Sequence, residues 1–344
     1  MAPEEVESAQ DPVKARVTIV AEGAQGFEGS RRQAELIVRA AAAGGADVVK
    51  LQLVYADELA VPGYRWYGLF RDLEMEDGEW GRVAEEARRI GIRLAFDVYG
   101  DRSLALAARL GAVAVKIHST DFFNVPLVDA AIATGLDVWF SIGGISIDEV
   151  DEFLARHPLR RSDQLTLLYG FQAEPTVNED NHMNRLGALG RRFSGLSLGF
   201  MDHAAGTADE ASWLGVLALP FGVRVIEKHI TVGRCLGLED DVSALDAADF
   251  AQYVRRIRAA EAALGSDAPV ASDAERAYRN RALKAVLAAR DLPAGAVLTP
   301  QDLVLKRGAL SEDDIPIHRI DQVAGRTLTR ALVAHTPIGE ADLG

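Results

Sequence analysis

The chain has 344 residues, 49% of them hydrophobic and 26% charged, with a formal net charge of −14 at pH 7. That composition suits a globular enzyme with one large and one small domain, and the negative charge excludes nonspecific nucleic-acid binding, which needs a basic surface. A single cysteine, Cys235, excludes an intramolecular disulfide and fits a reducing cytoplasm, and the sequence contains no run of about 18 apolar residues that could span a membrane.

The chain starts MAPEEVESAQDPVK, acidic and polar, without the basic and apolar regions of a signal peptide, and residues 1–15 read as a disordered tail. From Val17 onward short β-branched runs alternate with amphipathic or Ala-rich stretches. The strand candidates are VTIVAE, DVVKLQL, RLAFDV, AVAVKIHS, DVWFSIG, LTLLYG, LSLGFMDH and VRVIEKH. Helices are expected over Arg31–Ala43, Gly78–Ile90, Ser103–Leu110, Pro126–Thr134, Ile147–Arg156, Asp180–Phe193, Ala208–Leu219 and Ala247–Leu264. Gly44, Gly91, Gly111 and Gly135 stand where left-handed caps would close helices before the next strand.

Eight strand–helix units over about 250 residues are the pattern of a (β/α)8 TIM barrel, here 16–265. An open doubly wound sheet is the alternative, but no dinucleotide-type glycine fingerprint follows the first strand. Residues 266–280 are polar and read as a linker. From 281 to 344, short strands alternate with Pro/Gly turns such as LPAG and HTPI, which describes a small β-rich domain. A core of about 60 residues is marginal alone and is expected to lean on the barrel or another subunit.

Barrel catalysis takes place at the C-terminal strand ends, and the ionisable residues gather there. Strand one ends in Glu22; strand two carries Lys50 and Gln52 on one face; strand three ends at Asp97. Strand four carries Lys116, then Ser119 and Asp121; strand five ends at Ser141; strand six ends near Gln172. Strand seven ends in Asp202-His203 and strand eight in Glu227-Lys228-His229. Ending a buried strand in three ionisable groups costs several kcal/mol each unless they are paired or ligate something. Two imidazoles on adjacent strands can hold a divalent metal with positions left open for substrate, and Asp202 and Glu227 are candidate ligands or orienting partners. Lys50 and Lys116 suit a carboxylate or phosphate, or else form internal ion pairs with Glu22 or Asp97.

At these residues the chain resembles the sialic acid synthase family, the phosphoenolpyruvate-dependent N-acylneuraminate synthases. The likeness runs through IVAEGAQGFEGS, AAAAGGADVVKLQ, VKIHSTDFFNVPLV, DVWFSIGGISIDEV, GFMDHAAG and VIEKHIT. The tail is similar to the antifreeze-like (SAF) domain that follows the barrel in that family, most closely in LPAGAVLTPQDLVLKR. The resemblance implies condensation of phosphoenolpyruvate with an N-acylhexosamine or related sugar aldehyde, with release of phosphate. It implies a divalent metal, manganese first and magnesium or cobalt otherwise, on His203 and His229. It implies donor contacts from Lys50, Lys116, Ser119 and Ser141, and sugar contacts or proton transfer by Glu22, Gln52, Asp121 and Asp240. It also implies a domain-swapped homodimer in which Arg307 closes the neighbour's sugar site.

This sequence departs from the family pattern at several points. GFEG replaces NHNG after strand one, Asp97 replaces a hydroxyl donor, and Met201 stands in place of a serine. Gln172 and Glu174 stand in place of an asparagine and an aromatic, and RGA at Arg307 replaces RPG. An ionised Asp97 would repel a phosphate: at an effective dielectric near 20, two unit charges about 4 Å apart interact by roughly 4 kcal/mol. A metal-dependent aldolase or epimerase that no longer uses phosphoenolpyruvate is therefore the alternative, and a carbohydrate-binding protein on a retired scaffold is a third reading.

Overall fold

A computed structural model describes residues 16–156, 164–171, 173–265, 271–307 and 317–344. Eight parallel strands run β1 Thr18–Glu22, β2 Val48–Gln52, β3 Arg93–Val98, β4 Ala114–Ile117, β5 Asp137–Ser141, β6 Leu165–Gly170, β7 Ser197–Asp202 and β8 Val225–Thr231. Each pairs with the next, and β8 pairs back onto β1, closing the TIM barrel. A short ninth strand, β9 Leu245–Asp246, pairs parallel with the end of β8 at Ile230 and Thr231.

The strands are buried on both faces, which is why they read as nearly continuous apolar runs. Their outward side chains, such as Ile19, Val49, Phe96, Val115 and Phe200, pack under the helices in one large core. Inward, Val20, Val48, Ala95, Ala114, Trp139, Leu168, Met201 and Val225 fill the barrel's middle. Above that plug the inward positions turn ionic, which places the chemistry at the C-terminal mouth.

The helices are α1 Arg31–Ala43, α2 Ala56–Leu59, α3 Tyr67–Leu73, α4 Asp77–Ile90, α5 Asp101–Leu110, α6 Val125–Ala133, α7 Ile147–Arg156, α8 Asn184–Arg192, α9 Leu214–Ala218 and α10 Ala247–Leu264. Helix α4 starts with a reciprocal Glu76–Glu79 capping box and ends at Gly91 in the left-handed conformation. Gly111 caps α5 in the same way, but Gly44 is right-handed and Gly45 supplies the positive φ instead. Helices α2 and α3 lie between β2 and α4, where the sequence reading placed none. The helices expected over 180–193 and 208–219 are shorter, each preceded by a 3₁₀ turn, at Asn178–Asn181 and Asp209–Ser212.

The chain divides into two compact units, Met1–Ser266 and Asp267–Gly344. The stretch read as a linker holds a capped helix, α11 Asp273–Ala282, with no buried residue. In the second unit β10 Ala285–Ala288 pairs antiparallel with β11 Leu303–Lys306. Val286, Leu292, Leu298, Leu303, Val323, Leu328, Leu332, Ile338 and Leu343 form its core. Two similar halves are visible: Asp302 and Asp342 each cap a 3₁₀ turn and pair with Arg290 and Arg330, twelve residues upstream in each case. The segment 1–15 lies outside the described residues.

Candidate active site

Strand register builds the site. In parallel strands residues at the same level share a face, so pairing of Glu22 with Lys50, of Gln52 with Asp97 and of Asp97 with Lys116 puts all five side chains inside the barrel. Met201 pairs with Glu227 inward, while Asp202 pairs with Lys228 outward. The barrel floor therefore holds three carboxylates and two ammonium groups, all at most 4% exposed.

Lys50 contacts Glu22 and Asp97 and lies 3.6 Å from Glu227 Oε2. Lys116 Nζ donates to Glu227 Oε1 at 2.6 Å and lies 3.9 Å from Asp97 Oδ1. Burial works against the charge on Lys50 and lowers its pKa; the same burial at Lys116 is outweighed by Asp97 and Glu227, which raise it. Asp97 likewise resists burial, since Lys116 and Lys50 hold its carboxyl below the usual range. Asp97 Oδ1, Glu227 Oε2 and the fully buried Ser141 Oγ have no hydrogen-bond partner. Buried polar atoms without partners are rare, and they mark a place where a ligand or water completes the bonding.

Above this floor a cavity of about 230 Å³ opens at the barrel mouth. Of the residues singled out in the sequence, Glu22, Gln52, Lys116, Glu174, His203, His229 and Asp240 line it. Lys50 and Asp97 are buried below the lining, as is Ser141. Ser119 and Asp121 sit on a 3₁₀ turn after β4, outside the lining, where Asp121 accepts from the Asn124 amide at 2.9 Å. Gln172 lies outside the described residues. Arg307 belongs to the second unit, where its Nε donates to Ala282 O at 3.2 Å.

The two imidazoles meet: His203 Nε2 and His229 Nε2 are 3.3 Å apart. His203 Nδ1 faces Met201 O at 3.4 Å, a contact that puts the proton on Nδ1 and leaves Nε2 as a lone pair. Burial, then neighbouring positive charge, pushes both pKa values well below 6.5, so both rings are neutral at pH 7. Two nitrogens each about 2.1 Å from one ion subtend a ligand edge of about 3.0–3.4 Å. The pair fits as one edge of a cation's coordination shell. Among the described residues no group of three or more His, Cys, Asp or Glu side chains is placed to hold a metal ion, so the imidazole pair stands alone as a candidate edge.

Neither carboxylate suggested as a partner of the imidazoles plays that part. Asp202 turns outward, accepting from Lys228 Nζ at 3.0 Å, from Tyr253 OH at 3.3 Å and from Ala204 N–H at 3.0 Å. Glu227 is engaged by the lysines. The backbone carbonyl of His203 is fixed instead by Thr176 N–H and Ser243 Oγ.

The sequence reading missed Gln25, Tyr99, His118, Thr120 and Phe171, all of which line the cavity. Tyr99 and His118 each stand two residues beyond an inward charge, Asp97 and Lys116, so the period-2 rule held the signal. Tyr99 OH and Gln25 Nε2 both donate to Gln52 Oε1, at 2.8 and 2.9 Å, and Gln25 N–H donates to Asp240 Oδ2 at 3.2 Å. Phe171 wedges between His118 and His203, with ring centroids 5.6 and 4.6 Å away. Burial and then Lys116 lower the His118 pKa to about 4. Glu174 is raised to about 7 by desolvation at the rim and by Asp240 and Glu239.

Comparison with known proteins places this site in a family. The NeuB family model matches residues 37–268, and a SAF domain model matches residues 284–344. The N,N'-diacetyllegionaminic acid synthase of Legionella pneumophila is 28% identical over 338 residues, spanning 93% of this chain and 92% of its own. The pseudaminic acid synthase of Campylobacter jejuni is 25% identical over 303 residues, spanning 84% and 86%. A crystal structure of the N-acetylneuraminic acid synthetase of Leptospira borgpetersenii, in complex with citrate, superposes with a TM-score of 0.69 at 24% identity, covering 78% of this chain and 93% of that one. At that identity the structural likeness is one of fold. The chain belongs to the NeuB family.

Proposed function

We propose that this protein is a synthase that joins phosphoenolpyruvate to an N-acylhexosamine or related sugar aldehyde, forming a nonulosonic acid and releasing phosphate. The relatives named as legionaminic and pseudaminic acid synthases support the product class. The observation that carries the reading is the meeting of Lys116, Glu22 and the His203–His229 pair around one cavity.

In the proposed reaction a carbon–carbon bond forms between C3 of the enol donor and the aldehyde carbon. Water adds at C2 of the donor, and phosphate leaves. Lys116, the ammonium that reaches the cavity lining, binds the donor's anionic end, and the unpartnered Ser141 hydroxyl donates to it from below. Glu22 takes the proton of the adding water, since its Oε1 is fixed by Ala24 N–H at 2.6 Å and its side chain borders the cavity. Gln52, oriented by Tyr99 and Gln25, and Asp240, held by Gln25 N–H, position the sugar hydroxyls. His203 and His229 would hold a divalent cation, manganese first, which when bound supplies Lewis-acid polarisation of the aldehyde. The domain-swapped homodimer, with Arg307 reaching a neighbour's site, is part of the same proposal. Among the described residues no helix is long and apolar enough to cross a membrane.

The test is mass spectrometry of reactions with a panel of N-acylated and free hexosamines. The proposal expects one product, heavier than its acceptor by a single pyruvate unit, that forms only with phosphoenolpyruvate. No adduct with any acceptor sinks it. One observation favours a second reading, an aldolase or epimerase without phosphoenolpyruvate: Asp97 leaves the floor with one more carboxylate than ammonium groups. Product formation from pyruvate in place of phosphoenolpyruvate would select that reading.

A further inference from the structure

The floor of the cavity carries an odd charge. Glu22, Asp97 and Glu227 oppose only Lys50 and Lys116, and all five side chains are at most 5% exposed. An ammonium group has three N–H donors, and those of Lys50 face three protein carboxylates in a fully buried setting. Glu227 is matched by Lys116 at 2.6 Å, and Glu22 is held by Lys50 and by a backbone N–H. Asp97 is the surplus. Its Oδ2 contacts Lys50 while its Oδ1 lies 3.9 Å from Lys116 with no hydrogen-bond partner. A carboxylate thus reaches toward both cations, one of which, Lys116, lines the cavity.

We infer that Asp97 is the specificity-determining residue of the donor subsite: it competes with the donor's phosphoryl group for Lys50 and Lys116, and so sets how much negative charge the site accepts. The inference rests on the reading of this cavity as a donor site. Like charges held in a low-dielectric floor repel more strongly than in water, so the penalty grows with the charge of the ligand. A phosphorylated enol acid, bearing both a carboxylate and a phosphate, suffers more than an unphosphorylated 2-oxoacid. Removing Asp97's charge leaves two carboxylates against two ammonium groups, a balanced set, so the substitution does not strand a buried charge.

The experiment is calorimetric titration of phosphoenolpyruvate and, separately, of pyruvate into the full chain as wild type, Asp97→Asn, Asp97→Ser and Asp97→Glu. Phosphate release with an acceptor is followed in parallel. At least a tenfold tighter phosphoenolpyruvate Kd is expected in the Asn and Ser variants, which is about 1.4 kcal/mol. A smaller gain is expected for pyruvate, and none for Asp97→Glu. Melting curves confirm that each variant is folded, and two neutral replacements of different size guard against a local packing effect. Equal phosphoenolpyruvate affinity in wild type and both neutral variants overturns the inference, as does an equal gain for both ligands. The proposed function fails separately: if no form releases phosphate, the synthase reading falls, while the Kd comparison still decides the role of Asp97.

Discussion

Replacing Lys228 by Met probes the outward ion pair that anchors the strand ends carrying both imidazoles. Lys228 and Asp202 are fully buried, and Lys228 Nζ bonds Asp202 Oδ1 at 3.0 Å and Ala204 O at 2.8 Å. Methionine preserves most of the volume, so the change isolates the charge. Breaking a buried pair from one side leaves an uncompensated carboxylate and costs about 3–5 kcal/mol. For a domain of this size each kcal/mol shifts the midpoint by about 2–4 °C, so the barrel transition should fall by about 6–20 °C. The double variant Lys228→Met with Asp202→Asn removes the stranded charge, while the Asn oxygen can still accept from Ala204 N–H and its amide nitrogen can donate to the Tyr253 oxygen, which lies beside the other carboxylate position. It should regain at least about half of the loss, since replacing both partners is far cheaper than replacing one. Scanning calorimetry of the three proteins at one pH reads this directly. A double variant no more stable than Lys228→Met, or a single variant within about 1 kcal/mol of wild type, would refute the reasoning from burial.

Other consequences follow from the same geometry. His203→Ala and His229→Ala should each abolish binding of Mn²⁺ to chelator-treated protein while leaving the far-ultraviolet circular dichroism unchanged; retained stoichiometric binding in either would remove the imidazole pair from the metal role. Glu174, raised to about 7, is neutral below that pH and charged above it, so the acceptor kcat/KM should change slope near pH 7 in wild type and lose that inflection in Glu174→Gln. The sign for folding follows from the same shift: the folded state holds this proton more tightly than the unfolded chain, so the residue's contribution to stability diminishes as pH rises from the ordinary carboxyl range through about 7. Gly170→Ala should destabilise the barrel by about 2–5 kcal/mol, because φ is +129° and a Cβ would lie 2.1 Å from Met201 O; a change under about 1 kcal/mol in urea unfolding would contradict it.

The barrel was legible because each strand is an apolar run closed by a helix of 3.6 period, and helix-ending residues such as Gly91 and Gly111 carry the left-handed caps. Helices α2 and α3 were not: Pro62-Gly63 interrupts the stretch between them, while Leu59 and Phe70 line the cavity. At the site, spacing by two put Lys50 and Gln52 on one inward face, and Lys116 followed from its place at the end of strand four. Their partners were harder to assign, because Glu22, Asp97 and Glu227 come from three strands that converge only when β8 closes onto β1. The sequence reading also left Asp202 undecided between ligand and orienting partner. The outward pairing with Lys228, one register step from His203, is a property of the β7–β8 alignment and of Tyr253 on α10.

Continuous measurement of phosphate release, with phosphoenolpyruvate, an N-acylhexosamine and Mn²⁺ supplied together and then with each omitted in turn, tests the proposed chemistry most directly. A cavity that joins donor to aldehyde predicts release only when all three are present, one phosphate for each aldehyde consumed. Release that continues at full rate without the aldehyde, or after the cation is chelated, would contradict it.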